Sequence, residues 1–170
     1  MQIDECQCSL PLIRGGALIA NVISNGKINQ IEVPYYPLTL VGLFECAKYV
    51  RLAAKQIFGK HFARCNAWDR RYEDAVVAEI NGTALGDLQR QRILQQGMVV
   101  GFYNPESHYK NHRDIKGKPI RYSHNALFVG LSSRGRLLFA HQYGAETRLQ
   151  DVNSILRQGL EPIEILDARS

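Results

Sequence analysis

Residues 122–141 read YSHNALFVGLSSRGRLLFAH, two apolar runs joined by a short polar segment. The first run, Tyr122 to Leu131, and the second, Arg136 to His141, have the length of strands and are shorter than an average helix. Between them, Ser132 to Gly135 supplies the serine and glycine residues that favour a turn. The stretch therefore predicts an antiparallel hairpin, around which the remaining elements can be placed.

Outward from this hairpin, short apolar runs alternate with helical patterns. Met98 to Tyr103 is typical of a short buried strand. Asn25-Gly26 lies between two β-branched runs and predicts a second hairpin, because both residues tolerate positive φ. The other predicted elements are strands at Ala17–Ser24, Lys27–Val33 and Ile163–Leu166, helices at Leu43–Phe58, Ala84–Leu94 and Asp151–Arg157, and a strand or helical turn at Ala75–Ile80. Together they predict an α+β domain with a mostly antiparallel sheet.

The composition indicates an ordinary folded domain with a basic surface. The chain has 170 residues, of which 45% are hydrophobic and 22% charged. The formal net charge of +5 favours anionic partners, namely nucleic acid, acidic lipid or an anionic cell wall, and does not by itself choose among them. Nucleic acid is disfavoured, because the basic stretch from Lys110 to Arg121 has few aromatic residues and also contains Asp114. No apolar run is long enough to span a membrane, so no membrane partner is expected.

One of the four cysteines has the setting of a nucleophile. Cys46 lies in the first turn of a predicted helix, where the positive end of the macrodipole favours a thiolate. His124 opens a strand of the sheet on which that helix is expected to pack, so its imidazole is predicted to reach the sulfur as a base. His141 on the next strand would orient the imidazole. Gln142 is the alternative, because one residue of register decides which of the two faces inward.

The same residues also have simpler interpretations. Cys46 suits a core position, because free cysteine is among the most buried residue types, and His124 is then an ordinary strand histidine. Asn66 is a further candidate donor into the site, against a role in capping a loop. No metal site is predicted, because the available Cys and His residues lack a standard zinc-ligand spacing. Those residues are Cys6, Cys8, His61 and Cys65.

Several segments, in their order along the chain, resemble the NlpC/P60 and CHAP group of cysteine amidases and endopeptidases. Three of them match the strand motifs of NlpC/P60 domains, and one matches the nucleophile segment of the CHAP branch. They are residues 94–102 (LQQGMVVGF), 124–130 (HNALFVG), 138–141 (LFAH), and 46–51 (CAKYVR) followed by Asn66-Ala67-Trp68. The resemblance spans about Leu43 to Leu166, with Met98 standing where the usual motif has Asp.

This resemblance implies a papain-like fold, in which the N-terminal helix with the nucleophile packs on an antiparallel sheet. It implies Cys46 as nucleophile, His124 as base and His141 as the orienting residue, without a cofactor. The chain is then a single cysteine hydrolase domain, with an N-terminal hairpin extension over residues 1–37 and a catalytic core over residues 38–170.

The expected reaction is hydrolysis of an amide bond by a cysteine peptidase or amidase, most naturally in peptidoglycan peptides. One alternative is a delivered effector that acts on a protein as a thiol protease, deamidase or acyltransferase, and another is an inert binding module on the same fold. The N-terminus, MQIDECQC, has no basic start followed by an apolar run, so no signal peptide is expected. Synthesis in the cytoplasm is therefore expected, with delivery by a secretion or lysis system and an immunity or delivery protein as further partner.

Overall fold

The described part of the chain forms a nine-stranded sheet with helices on both of its faces. The structure, a computed structural model, describes residues 12–14, 17–36, 45–63, 67, 75–106, 111–113, 116–120 and 123–168. Every recorded strand pairing is antiparallel, which confirms the predicted α+β class. The strands are β1 (Leu12–Arg14), β2 (Ala17–Ser24), β3 (Lys27–Pro34), β4 (Ala75–Glu79), β5 (Val99–Tyr103), β6 (His124–Ser132), β7 (Leu137–Tyr143), β8 (Glu146–Asp151) and β9 (Glu161–Asp167). The helices are α1 (Cys46–Phe58), α2 (Leu85–Arg90) and α3 (Val152–Leu156).

Strand β6 lies at the centre of the sheet. It pairs with β5 from His124 to Leu127, with β7 from Leu127 to Leu131, and with β2 at its last two residues. Beyond these neighbours, β8 pairs with β7, β9 and then β4 extend the sheet from β5, and β1 and β3 flank β2. Because β2 pairs with β6, the predicted N-terminal hairpin is part of the same sheet as the central strands.

The pleat of β6 sends alternate side chains into two separate cores. Leu127 and Val129 belong to the same buried cluster as Val50 of α1. Ala126 and Phe128 belong to a second cluster, which contains the buried side chains of α2 and α3. The sheet therefore has an α1 face and an α2/α3 face, and up to Val129 the parity of a β6 residue decides which of the two it meets. After the register shift between Phe128 and Gly130, Leu131 packs on the α2/α3 face.

Helix α1 ends at a glycine in the left-handed conformation. Gly59 has a φ of 67° and donates its N–H to the carbonyl of Lys55 at 3.0 Å, a common way to close a helix. This confirms the predicted C-terminal end of the helix. The predicted start at Leu43 lies outside the described residues, and the described helix opens at Cys46 itself.

The direction of α1 across the sheet follows from contacts at its C-terminal end. Lys60 forms an ion pair with Asp167 at the end of β9, with 2.5 Å between Nζ and Oδ1. A Cβ at Gly97, just before β5, would lie 3.1 Å from Phe58 and from Lys60. The N-terminus of α1 therefore points to the opposite end of the sheet, where β6 begins and β7 ends.

Several elements differ from the sequence prediction or were left open by it, and strand β1 was not predicted. Helix α2 ends at Arg90 instead of Leu94, because the N–H groups of Ile93 and Leu94 both bond back to the carbonyl of Leu88. Strand β8 was not predicted, and it forms along the edge of β7 through backbone pairing. Ala75–Glu79, left open between a strand and a helical turn, is a strand.

A methyl group added at Gly130 is expected to destabilise the sheet. Gly130 has a φ of 137°, and its Cβ would lie 2.6 Å from Gln96 Nε2 and 3.1 Å from Val22 Cβ. Gly135 has a φ of 73° with nothing within 4 Å of such a Cβ, so it shares the backbone strain without the clash. Gly130→Ala should therefore lose about 1–3 kcal/mol more unfolding free energy than Gly135→Ala, measured by urea denaturation. Equal losses would contradict the close packing at Gly130.

Candidate active site

The two histidines singled out in the sequence contact each other at one end of the sheet. His124 Nε2 lies 2.8 Å from His141 Nδ1, and the rings are nearly perpendicular with centroids 5.0 Å apart. His141 Nε2 in turn lies 2.9 Å from Gln150 Oε1 on β8. Both histidines are buried. The structure therefore joins His124, His141 and Gln150 in one buried hydrogen-bonded chain.

The direction of these hydrogen bonds fixes the tautomers. Gln150 Oε1 can only accept, and Gln158 Nε2 also donates to it at 3.2 Å. His141 Nε2 must therefore bear a hydrogen, so the Nδ1 of neutral His141 accepts from His124 Nε2. His124 Nδ1 is then the unprotonated nitrogen of His124, and it is the basic atom of this hydrogen-bonded group of three side chains.

Burial keeps both imidazoles neutral. Desolvation lowers the pKa of His141 to about 4, with the Gln150 hydrogen bond acting in the opposite direction and the Arg148 charge adding to the decrease. The pKa of His124 lies well below its usual value, first because of burial and then because of His141. The ring of Tyr143 lies 5.9 Å from that of His124 and helps to enclose the pair. At neutral pH His124 is therefore a neutral base.

Acid is expected to destabilise the fold through these histidines. Their pKa values are lower in the folded chain than the ordinary value of 6.5, so below that value the unfolded chain binds more protons. Their contribution to stability is complete above pH 6.5 and is lost as the pH falls toward 4. The melting temperature should therefore decrease over this range, and His141→Gln should flatten the decrease. A variant His141→Gln with the wild-type slope would contradict the assignment.

Cys46 is buried at the start of α1, in a small cluster with Ala47 and Ala67. Helix α1 covers the α1 face, whereas His124 shares the parity of Ala126 and so projects to the α2/α3 face. The recorded polar and ring contacts of His124 are with His141 and Tyr143. The structure therefore brings the two histidines together, and no hydrogen bond or ring contact recorded among the described residues joins either of them to Cys46.

Cys46 nevertheless lies at the same end of the sheet as the histidines. The 13 residues of α1 give about 18 Å between its ends, measured from the contact of Phe58 with Gly97. Four residues of extended chain from Gly97 to Gly101 cover about 13 Å in the same direction. Cys46 is therefore about 5 Å beyond the level of Gly101 and its cross-strand partner Asn125, close to the level of Phe102.

The other candidates have different outcomes. Gln142 is buried on the α1 face and donates to the carbonyl of Gly144 at 3.1 Å, so the register gives His124 the partner His141 instead. Asn66 lies outside the described residues, as do Cys6, Cys8 and Cys65. His61 is exposed, and no group of three or more His, Cys, Asp or Glu side chains within the described ranges could share a metal ion.

Asn125 is a buried polar residue that the sequence analysis did not select. It has no exposed surface, and neither its Oδ1 nor its Nδ2 has a hydrogen-bond partner among the described residues. Its parity places it on the α1 face, in the cross-strand row that also contains Gly101 and Glu164. The sequence contains a signal for this residue, because Asn125 is a polar residue inside the apolar run HNALFVG, at the position where the NlpC/P60 motif has Val.

Comparisons with protein-family models, with curated proteins and with solved structures find no match for this chain. The resemblance to the NlpC/P60 and CHAP group therefore stays a prediction. Among the helices that the structure describes, none has the length and apolar composition of a membrane span.

Proposed function

We propose that this chain is a cysteine amide hydrolase with a papain-like arrangement, acting on the peptides of peptidoglycan. The observation that carries the proposal is the buried chain from Gln150 through His141 to His124, which leaves His124 Nδ1 as an oriented neutral base. A nucleophile, a base and a group that orients the base are the recurrent parts of such sites. The position of Cys46 at the first turn of a helix packed on an antiparallel sheet supports its assignment as the nucleophile.

In the proposed reaction, the Cys46 sulfur attacks the amide carbonyl while His124 Nδ1 takes the thiol proton. The C–N bond then breaks, the amine leaves with that proton, and a thioester remains on Cys46. Water, deprotonated by His124, releases the acid and restores the thiol. Helix α1 covers one face of the sheet, whereas the parity of His124 places it on the other face. The proposed reaction therefore requires the Cys46 sulfur to approach the His124 imidazole around the N-terminal end of β6.

The negatively charged oxygen of the intermediate needs hydrogen-bond donors, and Asn125 Nδ2 is the side chain we assign to this role. Asn125 lies on the α1 face, about 5 Å from the level of Cys46, and its carboxamide has no recorded partner among the described residues. A buried amide without a partner costs free energy, so its presence calls for an explanation. One such donor contributes about 3 kcal/mol to transition-state stabilisation in related enzymes.

A non-catalytic module on the same fold is the second candidate. The observation that favours it is that no hydrogen bond or ring contact recorded among the described residues joins buried Cys46 to the histidine pair. In that case the hydrogen-bonded histidines are a satisfied polar network inside the core. A third option, a delivered effector acting on a protein, uses the chemistry of the first and differs in its substrate.

Alkylation of Cys46 by iodoacetamide from pH 4 to 9, located by peptide mapping, is expected to be fast well below pH 8. An activated thiolate reacts at pH values where an ordinary thiol is protonated, and free cysteine in a parallel sample gives the reactivity of an ordinary thiol. His124→Ala should remove the rapid reaction. Reactivity of Cys46 equal to that of an ordinary thiol would support the non-catalytic module.

Digestion of purified peptidoglycan then tests the reaction itself. Cys46→Ala and His124→Ala should each lower the rate by roughly a thousandfold or more, with unchanged melting curves as the folding control. Release of peptides from host proteins, with peptidoglycan left intact, would replace the proposed substrate by the effector alternative. Full activity of Cys46→Ala would contradict the proposed nucleophile.

Asn125→Leu is expected to raise stability and lower activity together. Leucine has the same branching as asparagine and removes a buried polar group without a recorded partner, a gain of about 1–3 kcal/mol in unfolding free energy that its larger volume reduces. Loss of an oxyanion donor should lower the hydrolysis rate by roughly a hundredfold. Gln142→Leu is the contrast, because Gln142 is buried on the same face but bonds Gly144, so this variant should lose stability. A stabilised Asn125→Leu with full activity would refute the oxyanion role.

A further inference from the structure

A cavity of about 560 Å³ lies at the other end of β6 from the histidine pair. It is bounded by the turn between β2 and β3, the turn after α2, and the last part of β6. The six residues from His124 to Gly130 place it about 20 Å from the histidines. Its volume is within the range of small-ligand sites. The cavity is therefore separate from the proposed active site, and nothing in the proposed hydrolysis uses it.

The charge of this cavity is positive. Arg92 lines it, and no Asp or Glu side chain is among its lining residues. The guanidinium of Arg92 is exposed and has no recorded ion pair or hydrogen bond within the described part of the chain. In the same turn, Arg90 forms an ion pair with Asp87. Arg92 is therefore the cation that remains available to a ligand.

The backbone holds Arg92 in place at the rim. Its φ of 59° is unusual for a residue other than glycine. The Arg92 N–H donates to the carbonyl of Gln89 at 3.0 Å, and the Arg92 carbonyl accepts from Gln95 Nε2 at 2.8 Å. These bonds fix the base of the side chain, so less conformational entropy is lost when the guanidinium binds.

The rest of the cavity combines carboxamides with an apolar floor. Gln96 Nε2 is bonded to the carbonyl of Val129 at 2.9 Å, and Gln89 contributes a second carboxamide at the rim. Phe128 and Leu94, both buried, form part of the floor. Carboxamides match the donors and acceptors of peptide groups, and an apolar floor suits a small side chain.

We propose that this cavity binds the C-terminal carboxylate of a peptide. The guanidinium of Arg92 pairs with the carboxylate through two parallel hydrogen bonds, the geometry for which arginine is suited. The carboxamide of Gln89 bonds the last peptide group, and the terminal side chain lies on Phe128. This assignment is independent of the proposed hydrolase activity.

Titration of the protein with acetyl-Ala-Ala, followed by NMR of backbone amides and Arg Nε–H groups, tests the proposal. We expect shifts confined to the Arg92 turn and the end of β6. The amide-capped peptide acetyl-Ala-Ala-NH2 should bind roughly tenfold more weakly or worse, because it lacks the charge that Arg92 recognises. Sodium acetate should also bind more weakly, because it lacks the peptide group and the apolar side chain.

Arg92→Gln should weaken binding of the acid to the level of the amide-capped peptide, while Arg90→Gln, the matched control in the same turn, should leave binding unchanged. Equal binding of the acid and the capped amide to the wild-type protein would overturn the proposal, even if Arg92→Gln does not fold. Acetate binding as tightly as the peptide would overturn the assignment to a peptide terminus.

Discussion

The alternation of side chains along β6 is the constraint on which the rest of this structure depends. With neighbours on both edges, the strand cannot slip by one residue without exchanging its two sets of side chains. Its odd-numbered residues through Val129 belong to the layer of α1, and its even-numbered residues through Phe128 belong to the layer of α2 and α3. His124 therefore lies on the α2/α3 face, and its neighbour Asn125 lies on the α1 face. One strand therefore separates the basic group from the unpartnered carboxamide and from Cys46.

The histidine pair illustrates how a sheet can bury two polar rings with three of their four nitrogens hydrogen-bonded. His141 bonds on both sides, to His124 and to Gln150, and a second carboxamide, Gln158, supports the same oxygen. Only one nitrogen, His124 Nδ1, is left outside this chain of bonds. A network of this kind is rigid and holds its protons in one arrangement. Those two properties suit a general base, and they also suit a structural core. The reactivity of the Cys46 thiol therefore distinguishes the two interpretations.

Much of the fold could be read from local signals in the sequence. Asn25-Gly26 gave the first hairpin, Gly59 gave the end of α1, and Asp151 caps α3 by accepting from the N–H of Ser154 at 3.0 Å, as predicted. Periodicity also placed His124 and His141 on adjacent strands. Periodicity could not show which face of the sheet α1 covers. The period of a strand shows which residues share a face, but it does not show which element packs on that face. The placement of Asn125 and Cys46 relative to the two faces of the sheet depends on that long-range choice.

The pairing of β2 with β6 has a consequence for how the chain folds. Val22 pairs with Ser132 and Ile23 with Leu131, more than a hundred residues later in the sequence. Contacts of such separation are slow to form, because a long loop must close before any pairing stabilises it. During synthesis the N-terminal hairpin emerges long before its partner strand, with the apolar residues Leu18, Ala20 and Val22 still uncovered. Until β6 has been synthesised, the pairing that joins this hairpin to the rest of the sheet cannot form.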